Sequence, residues 1–153
     1  MIISKKKVLI QSPDDILKFF STFLKKKHKD DLCREHLWVI GLNTKLVSVF
    51  VDLITIGTAN NVFASPKDVF RTAVKYGVPG IVVIHNHPSG DVKPGRKDFK
   101  FTEQLVICGR ILEIEVIDSI VIGFPNFYYS FRAKHPSLWG KKKNRKNKKN
   151  FSG

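Results

Sequence analysis

Ile81-Val82-Val83-Ile84-His85-Asn86-His87-Pro88-Ser89-Gly90-Asp91 joins a run that is apolar on both faces to two histidines and a turn. Four successive branched aliphatic residues suit a short strand buried between two layers. Side chains at i and i+2 of a strand share a face, so His85 and His87 would present two imidazoles to one point. Neutral imidazole is a favoured zinc donor, and a carboxylate from the next element can complete a three-ligand set with the fourth position left to water. Asp98, at the expected start of a helix beyond the Pro/Gly-rich loop 88–95, is placed for that role. A His-x-His pair followed by an aspartate also arises by chance in polar loops, so spacing alone leaves the metal-binding and the purely structural readings both open.

Outward from this stretch the chain alternates helix and sheet signals. Ser12-Pro13-Asp14-Asp15 offers a capping hydroxyl, a first-turn proline and carboxylates at the positive end of a helix. Ile16, Leu17, Phe20, Phe23 and Leu24 then recur at helical spacing, and the helix is expected to end within 25–29. From Glu35 the texture becomes that of a hairpin: Leu37, Val39 and Gly41, a turn at Asn43-Thr44-Lys45, then an apolar strand from Leu46 to Ile54. Ser65-Pro66-Lys67-Asp68 repeats the helix-start signal, with Val69, Phe70, Ala73 and Val74 as the apolar stripe and Gly77 and Pro79 as the stop. Beyond the loop, Phe99 to Cys108 predicts a third helix closing near Gly109, followed by sheet at Ile114–Ile122 and a last short strand at Phe127–Phe131. The order α, β-hairpin, α, β, α, β describes an α/β, mixed α+β, domain: a mixed sheet flanked by helices.

The 153 residues suffice for one domain with its own core, and 42% hydrophobic against 26% charged residues is an ordinary globular balance. Charge is less ordinary, because 27 Lys+Arg against 13 Asp+Glu gives +14. Seven of those cations fall in 141–149, so half of the excess belongs to a C-terminal segment, 140–153, expected to be a disordered basic tail. Such a tail suits phosphate contacts with nucleic acid, yet it equally suits a solvated appendage, and it lacks interleaved aromatics for base stacking. Cys33 and Cys108 form no CxxC pair, so neither a disulfide framework nor a thiolate site is expected; they read as buried or half-buried thiols in a reducing cytoplasm. No apolar run approaches the roughly 18 residues of a membrane span, and three lysines follow a very short apolar stretch at 1–7, so neither membrane insertion nor export is expected. His28, His36 and His135 read as exposed polar residues, and Asp91 as a turn former rather than a ligand.

His85-Asn86-His87-Pro88-Ser89-Gly90-Asp91, with Pro94 and Asp98 downstream, resembles the HNHPSGD-x-x-P signature of RadC-family proteins. The likeness extends to Glu35-His36-Leu37, to Gly57-Thr58-Ala59-Asn60 with Ser65-Pro66, to Asp118-Ser119-Ile120-Val121-Ile122-Gly123, and to Tyr129-Ser130-Phe131. The domain implied spans 8–132 and has the JAB/MPN, cytidine-deaminase-like fold. The wider JAMM pattern is a glutamate, His-x-His, seven residues, a serine, two residues and an aspartate. Carried over by position, the resemblance implies His85, His87 and Asp98 as zinc ligands and Glu35 as the acid/base of peptide or isopeptide hydrolysis, with zinc bringing a water's pKa towards about 7. It also carries an association with DNA repair or mobile DNA.

Two positions depart from the pattern. Gly95 stands where JAMM peptidases have the serine that steadies the oxyanion, a donor whose loss costs about 10²–10³ in rate at comparable sites. Ser119 stands where RadC proteins usually have histidine. Full RadC proteins also resemble a helix-hairpin-helix segment joined to this domain, so a stand-alone short form is expected. A catalytically weak zinc-binding module that binds DNA or a protein partner is therefore the alternative to a hydrolase. A nuclease reading of His85-Asn86-His87 fits less well, because HNH nucleases disperse those residues over a ββα unit.

Overall fold

The strand that carries the histidines, β4 (Gly80–Asn86), is buried at all seven positions in the computed structural model, and the other elements are arranged around it. The structure describes residues 2–4, 6–24, 33–57, 64–123 and 127–140. The remaining elements are β1 (Ile2–Ser4), α1 (Pro13–Leu24), β2 (His36–Leu42), β3 (Ser48–Ile56), α2 (Pro66–Tyr76), α3 (Arg96–Leu112), β5 (Glu115–Gly123), β6 (Phe127–Ser130), α4 (Phe131–Lys134) and α5 (Ser137–Gly140). One six-stranded sheet runs in the order β1-β3-β2-β4-β5-β6. Only the β4–β5 pair is parallel among the paired strands described: α3 carries the chain back to a neighbouring strand, whereas α2 makes the same kind of return from β3 to β4 across the intervening β2.

Alternation along the central strands divides the apolar residues between two cores. Trp38, Ile40, Val82, Ile84 and Ile120 face α1 through Ile16 and Phe20. Leu37, Val39, Ile81, Val83 and Val116 face the opposite way, against Val69 and Phe70 of α2 and Leu105 and Val106 of α3. Burial on both faces explains why β4 reads as a continuous aliphatic run. It also fixes the side on which the chemistry lies, since His85 continues the odd-numbered set and projects with Val83 towards α2 and α3.

The helix starts behave as their sequences predict. Asp15 Oδ2 accepts the amides of Gln11 and Ser12 at 3.0 Å each, and Asp68 Oδ2 accepts the Ser65 amide at 3.1 Å and its hydroxyl at 2.6 Å. Gly77 closes α2 at φ +60, where glycine is unstrained. Several expectations are corrected. Leu46 lies in the hairpin turn at φ 58, held by Asn43, and the strand begins at Ser48. Val74 is 58% exposed, because α2 packs on the sheet through Val69, Phe70 and Ala73 alone among that stripe. His36 is buried, stacked on Trp38 at 5.2 Å with its Nδ1 donating to the Arg34 carbonyl, and Cys33 is exposed, whereas Cys108 is half-buried as expected. His135 is half-buried against Tyr129 and Phe99. The chain after Phe131 continues as two short helices, and α5 sets Trp139 on the α3-side core under Arg132. His28, the end of the first helix, the 58–60 connection and the tail beyond Gly140 lie outside the described residues.

Gly109 does not end α3. The helix runs on to Leu112 and turns at Glu113, φ 57, so that Ile114 folds back and donates to the Gly109 carbonyl at 2.9 Å. A Cβ at 109 would meet the Ile114 carbonyl oxygen at 2.5 Å and Phe70 at 3.3 Å. Glycine to alanine inside a helix normally gains up to about 1 kcal/mol. Gly109→Ala is expected to do the opposite and cost about 1–3 kcal/mol, because backbone must shift to admit the methyl. Urea denaturation checks it, and a variant as stable as the parent would show that the helix end can yield.

Candidate metal centre

Three separated segments meet beyond the end of β4. His85 is 6% exposed and paired with Leu37 of β2, the last pair of that ladder; Glu35 precedes Leu37 by two residues and so falls on the same side as the histidines. His87 lies one residue past the strand, yet its amide still donates to the Ile122 carbonyl of β5 at 3.2 Å, so its ring follows that of His85 onto the same face. The two Nε2 atoms are 3.2 Å apart. Asp98, in the first turn of α3, places Oδ1 3.4 Å from His85 Nε2 and Oδ2 3.7 Å from His87 Nε2. Its Oδ2 also accepts the Gly95 amide at 2.7 Å, so the carboxylate that faces the imidazoles also caps the helix that carries it. Ligand atoms of Glu35, His85, His87 and Asp98 all lie within 4.8 Å of one another, a grouping that could hold a metal ion.

The loop 88–91 serves this group without contributing a ligand. Gly90 donates to the His87 carbonyl at 3.0 Å and sits at φ +81, and the chain returns so that His87 Nδ1 donates to the Asp91 carbonyl at 2.7 Å. That bond puts the neutral ring's proton on Nδ1 and leaves the Nε2 lone pair facing Asp98 and His85. Asp91 is a turn former, as expected, its Oδ1 accepting the Lys93 amide at 2.9 Å. Its carbonyl as the His87 partner was not foreseen; the Ser-Gly-Asp turn signal was the clue available.

Burial and charge set the protonation states. Burial lowers the His85 pKa to about 4, against the pull of Asp98, so this ring is neutral over the physiological range. His87 is raised, chiefly by the Asp98 carboxylate that faces its Nε2 and despite partial burial. Burial also pushes Asp98 up, but the facing His87 ring, the His85 charge interaction and the Gly95 amide outweigh it and leave Asp98 below the usual range. Glu35 is raised by burial, 9% exposed, with the neighbouring Asp98 adding to the effect and His87 opposing it. A set with one neutral ring, one anionic carboxylate and one ring whose protonated form that carboxylate favours is suited to exchanging the proton for a cation.

The group lines a cleft of about 780 Å³. Leu37, Val83 and Phe101 form apolar wall, and Lys93, Arg96 and Lys97 stand around the mouth. Ser119, opposite Val83 on β5, also lines the cleft; it is buried and accepts the Thr102 hydroxyl at 3.0 Å. Its neighbour Asp118 faces the other way and accepts Ser130 Oγ and the amides of Ser119 and Arg132, tying β5 to β6 and α4. Gly95 is the N-cap of α3 and carries no hydroxyl towards the cleft.

Sheet order, helix placement and the His/His/Asp/Glu group define a mixed α+β domain that brings together, at the end of a central strand, four side chains that could hold a metal ion. The sequence profile of the RadC-like JAB domain matches residues 10–136, and the chain belongs to that family. A UPF0758 protein of Staphylococcus carnosus (strain TM300) is 41% identical over 117 residues, which is 76% of this chain and 50% of the relative. Another from Chlorobium chlorochromatii (strain CaD3) is 39% identical over 104 residues, 68% of this chain and 46% of its own length. A third, from Alkaliphilus metalliredigens (strain QYMF), is 39% identical over 125 residues, covering 82% and 51%. The chain thus spans about half the length of these relatives. No helix among the described residues is long and apolar enough to cross a membrane.

Proposed function

We propose that this domain is a zinc-dependent hydrolase of peptidase or isopeptidase type, with His85, His87 and Asp98 holding the ion and Glu35 as acid/base. The observation that carries the reading is the 3.2 Å approach of two imidazole Nε2 atoms beside an aspartate, with a second acid, Glu35, of raised pKa within 4.8 Å. Two nitrogens bound to one tetrahedral zinc at about 2.0–2.1 Å lie about 3.3 Å apart, so the spacing of the two rings suits that ion. Zinc bound there supplies Lewis acidity, polarising a carbonyl and acidifying water. Glu35 suits the role of taking a proton and returning it to the leaving amine, since its raised pKa brings it nearer neutrality. The Asp91 carbonyl fixes the His87 tautomer, and Leu37, Val83 and Phe101 restrict water around the reacting bond. A peptide or isopeptide chain is the substrate class this arrangement serves.

The test is hydrolysis of peptide and isopeptide-linked substrates by zinc-loaded protein, with loss on chelation and return on adding zinc. Metal-free protein that cannot be loaded would sink the reading. Stoichiometric zinc without cleavage would favour a second reading, a slow or inactive zinc-binding module for DNA or a protein partner, in which the basic segment 141–149 contacts phosphates.

Gly95 is what favours that second reading, and it is directly testable. The nearest atom to a Cβ at 95 would be Asp98 Oδ2 at 3.6 Å, ordinary contact distance. Helix α2 shows the same Ser-x-x-Asp box in place, with Ser65 Oγ 2.6 Å from Asp68 Oδ2. Gly95→Ser is therefore expected to fold with a stability change of a few tenths of a kcal/mol. Metal content should be unchanged, and turnover should rise by about 10²–10³ if the missing donor limits the rate. Unchanged turnover at full metal occupancy would show that the hydroxyl has no such part here.

A further inference from the structure

Asn86 lies between the two histidines and has so far no task. His85 and His87 project towards α2 and α3; Asn86, the intervening residue of β4, projects the other way and is fully buried. Its side-chain amide reaches the start of β2. Oδ1 accepts the His36 amide at 2.7 Å, and Nδ2 donates to the Arg34 carbonyl at 3.0 Å. Those two backbone groups flank Glu35 on either side, and the Glu35 carbonyl itself accepts the Gly57 amide at 2.7 Å.

The β2–β4 ladder pairs residues from Leu42–Gly80 up to Leu37–His85. Beyond that pair the Asn86 side chain takes over, offering an acceptor and a donor to one extended stretch as a neighbouring backbone would. Arg34 and Cys33, just upstream, are exposed, so the clamp falls where the chain passes from surface to interior. A buried amide with both ends bonded to main chain is costly to remove and fixes the path of the segment it holds.

We propose that Asn86 is a positioning residue: its carboxamide grips the backbone on both sides of Glu35 and so sets the place of the Glu35 carboxylate beside the His85/His87/Asp98 group. One tripeptide then builds the centre from both faces of β4, two ligands on one side and the placement of the acid/base from the other. The kinetic part of this inference rests on the hydrolase reading; the geometric part does not.

The experiment compares Asn86→Ala and Asn86→Asp with the parent and with Glu35→Gln, all in the full chain. Cobalt substitution reports the ligand set through its visible spectrum, crystal structures of the zinc-loaded proteins report the Glu35 carboxylate, and kcat and KM are measured on a cleaved substrate. Asn86→Ala should keep metal content and cobalt spectrum, show the carboxylate displaced or disordered, and lose about 10²-fold in kcat with little change in KM, the penalty expected of a misplacement near 1 Å. Asn86→Asp keeps the acceptor for His36 and loses the donor to Arg34, so its loss should be intermediate. In the Glu35→Gln background Asn86→Ala should cost nothing further. A Glu35 carboxylate undisturbed in the Asn86→Ala crystal, or a kcat loss of equal size in both backgrounds, overturns the proposal. If Asn86→Ala does not fold, the Asn86→Asp structure decides on the same criterion. If the parent cleaves nothing, the hydrolase reading fails while the crystallographic comparison still decides where Asn86 holds Glu35.

Discussion

His87→Ala is expected to lower metal affinity by more than the roughly 10–100-fold typical of an outer-sphere change, and to leave the purified protein without stoichiometric metal. Three protein donors is the minimum for a catalytic zinc site, and His85 with Asp98 alone leaves two. The parent should also bind metal with a pH dependence that identifies this ring. Proton and metal compete for His87 Nε2, and Asp98 raises the His87 pKa, so affinity falls as pH drops through that raised value and levels off above it. His85 adds no competition until pH approaches about 4, because burial already keeps it neutral. Calorimetry in two buffers of different ionisation enthalpy should find proton release on binding below the His87 pKa and little above it. Metal bound at full stoichiometry and parental affinity by His87→Ala would mean that the ion sits elsewhere.

Which parts of this centre could be seen in the sequence follows from how far each signal reaches. His85 and His87 are two residues apart on a strand that announces itself by its aliphatic run, so their convergence is a local property. Asp98 needed only a helix start. Glu35 is different: fifty residues away, it joins the group through the β2–β4 register, and in the sequence only the family likeness connected it. The misreadings share a cause. Gly109 looked like a helix stop because glycine is local punctuation, whereas its reason is the Ile114 carbonyl lying against the helix. His36 looked exposed because it is polar; the Trp38 ring and Arg34 carbonyl that receive it are two residues away along the chain, and its burial is a tertiary fact that no local signal carried. Val74 kept helical spacing while the sheet reached only its neighbours. At three residues, β1 is too short for any period to show, and its place comes from pairing with β3.

Glu35→Gln separates holding the metal from using it. The glutamine keeps the size and hydrogen-bonding reach of the side chain but cannot carry a proton between substrate and product. Turnover should fall by about 10²–10⁴, the usual contribution of a positioned acid/base, while zinc content stays at the parental value because His85, His87 and Asp98 are intact. Stability gives an independent reading in the metal-free protein. Burial raises the Glu35 pKa in the folded state above its unfolded value, so the native fold disfavours the charged form. Glu35 therefore contributes its full stability below the unfolded carboxylate pKa and loses it as pH climbs through the raised folded value. Glu35→Gln should remove that decline and make the apo protein no less stable than the parent at neutral pH, by thermal melts at pH 4 and pH 7. A variant that retains parental kcat with full zinc would assign the proton transfer to another group. One that loses its zinc would make Glu35 a ligand instead.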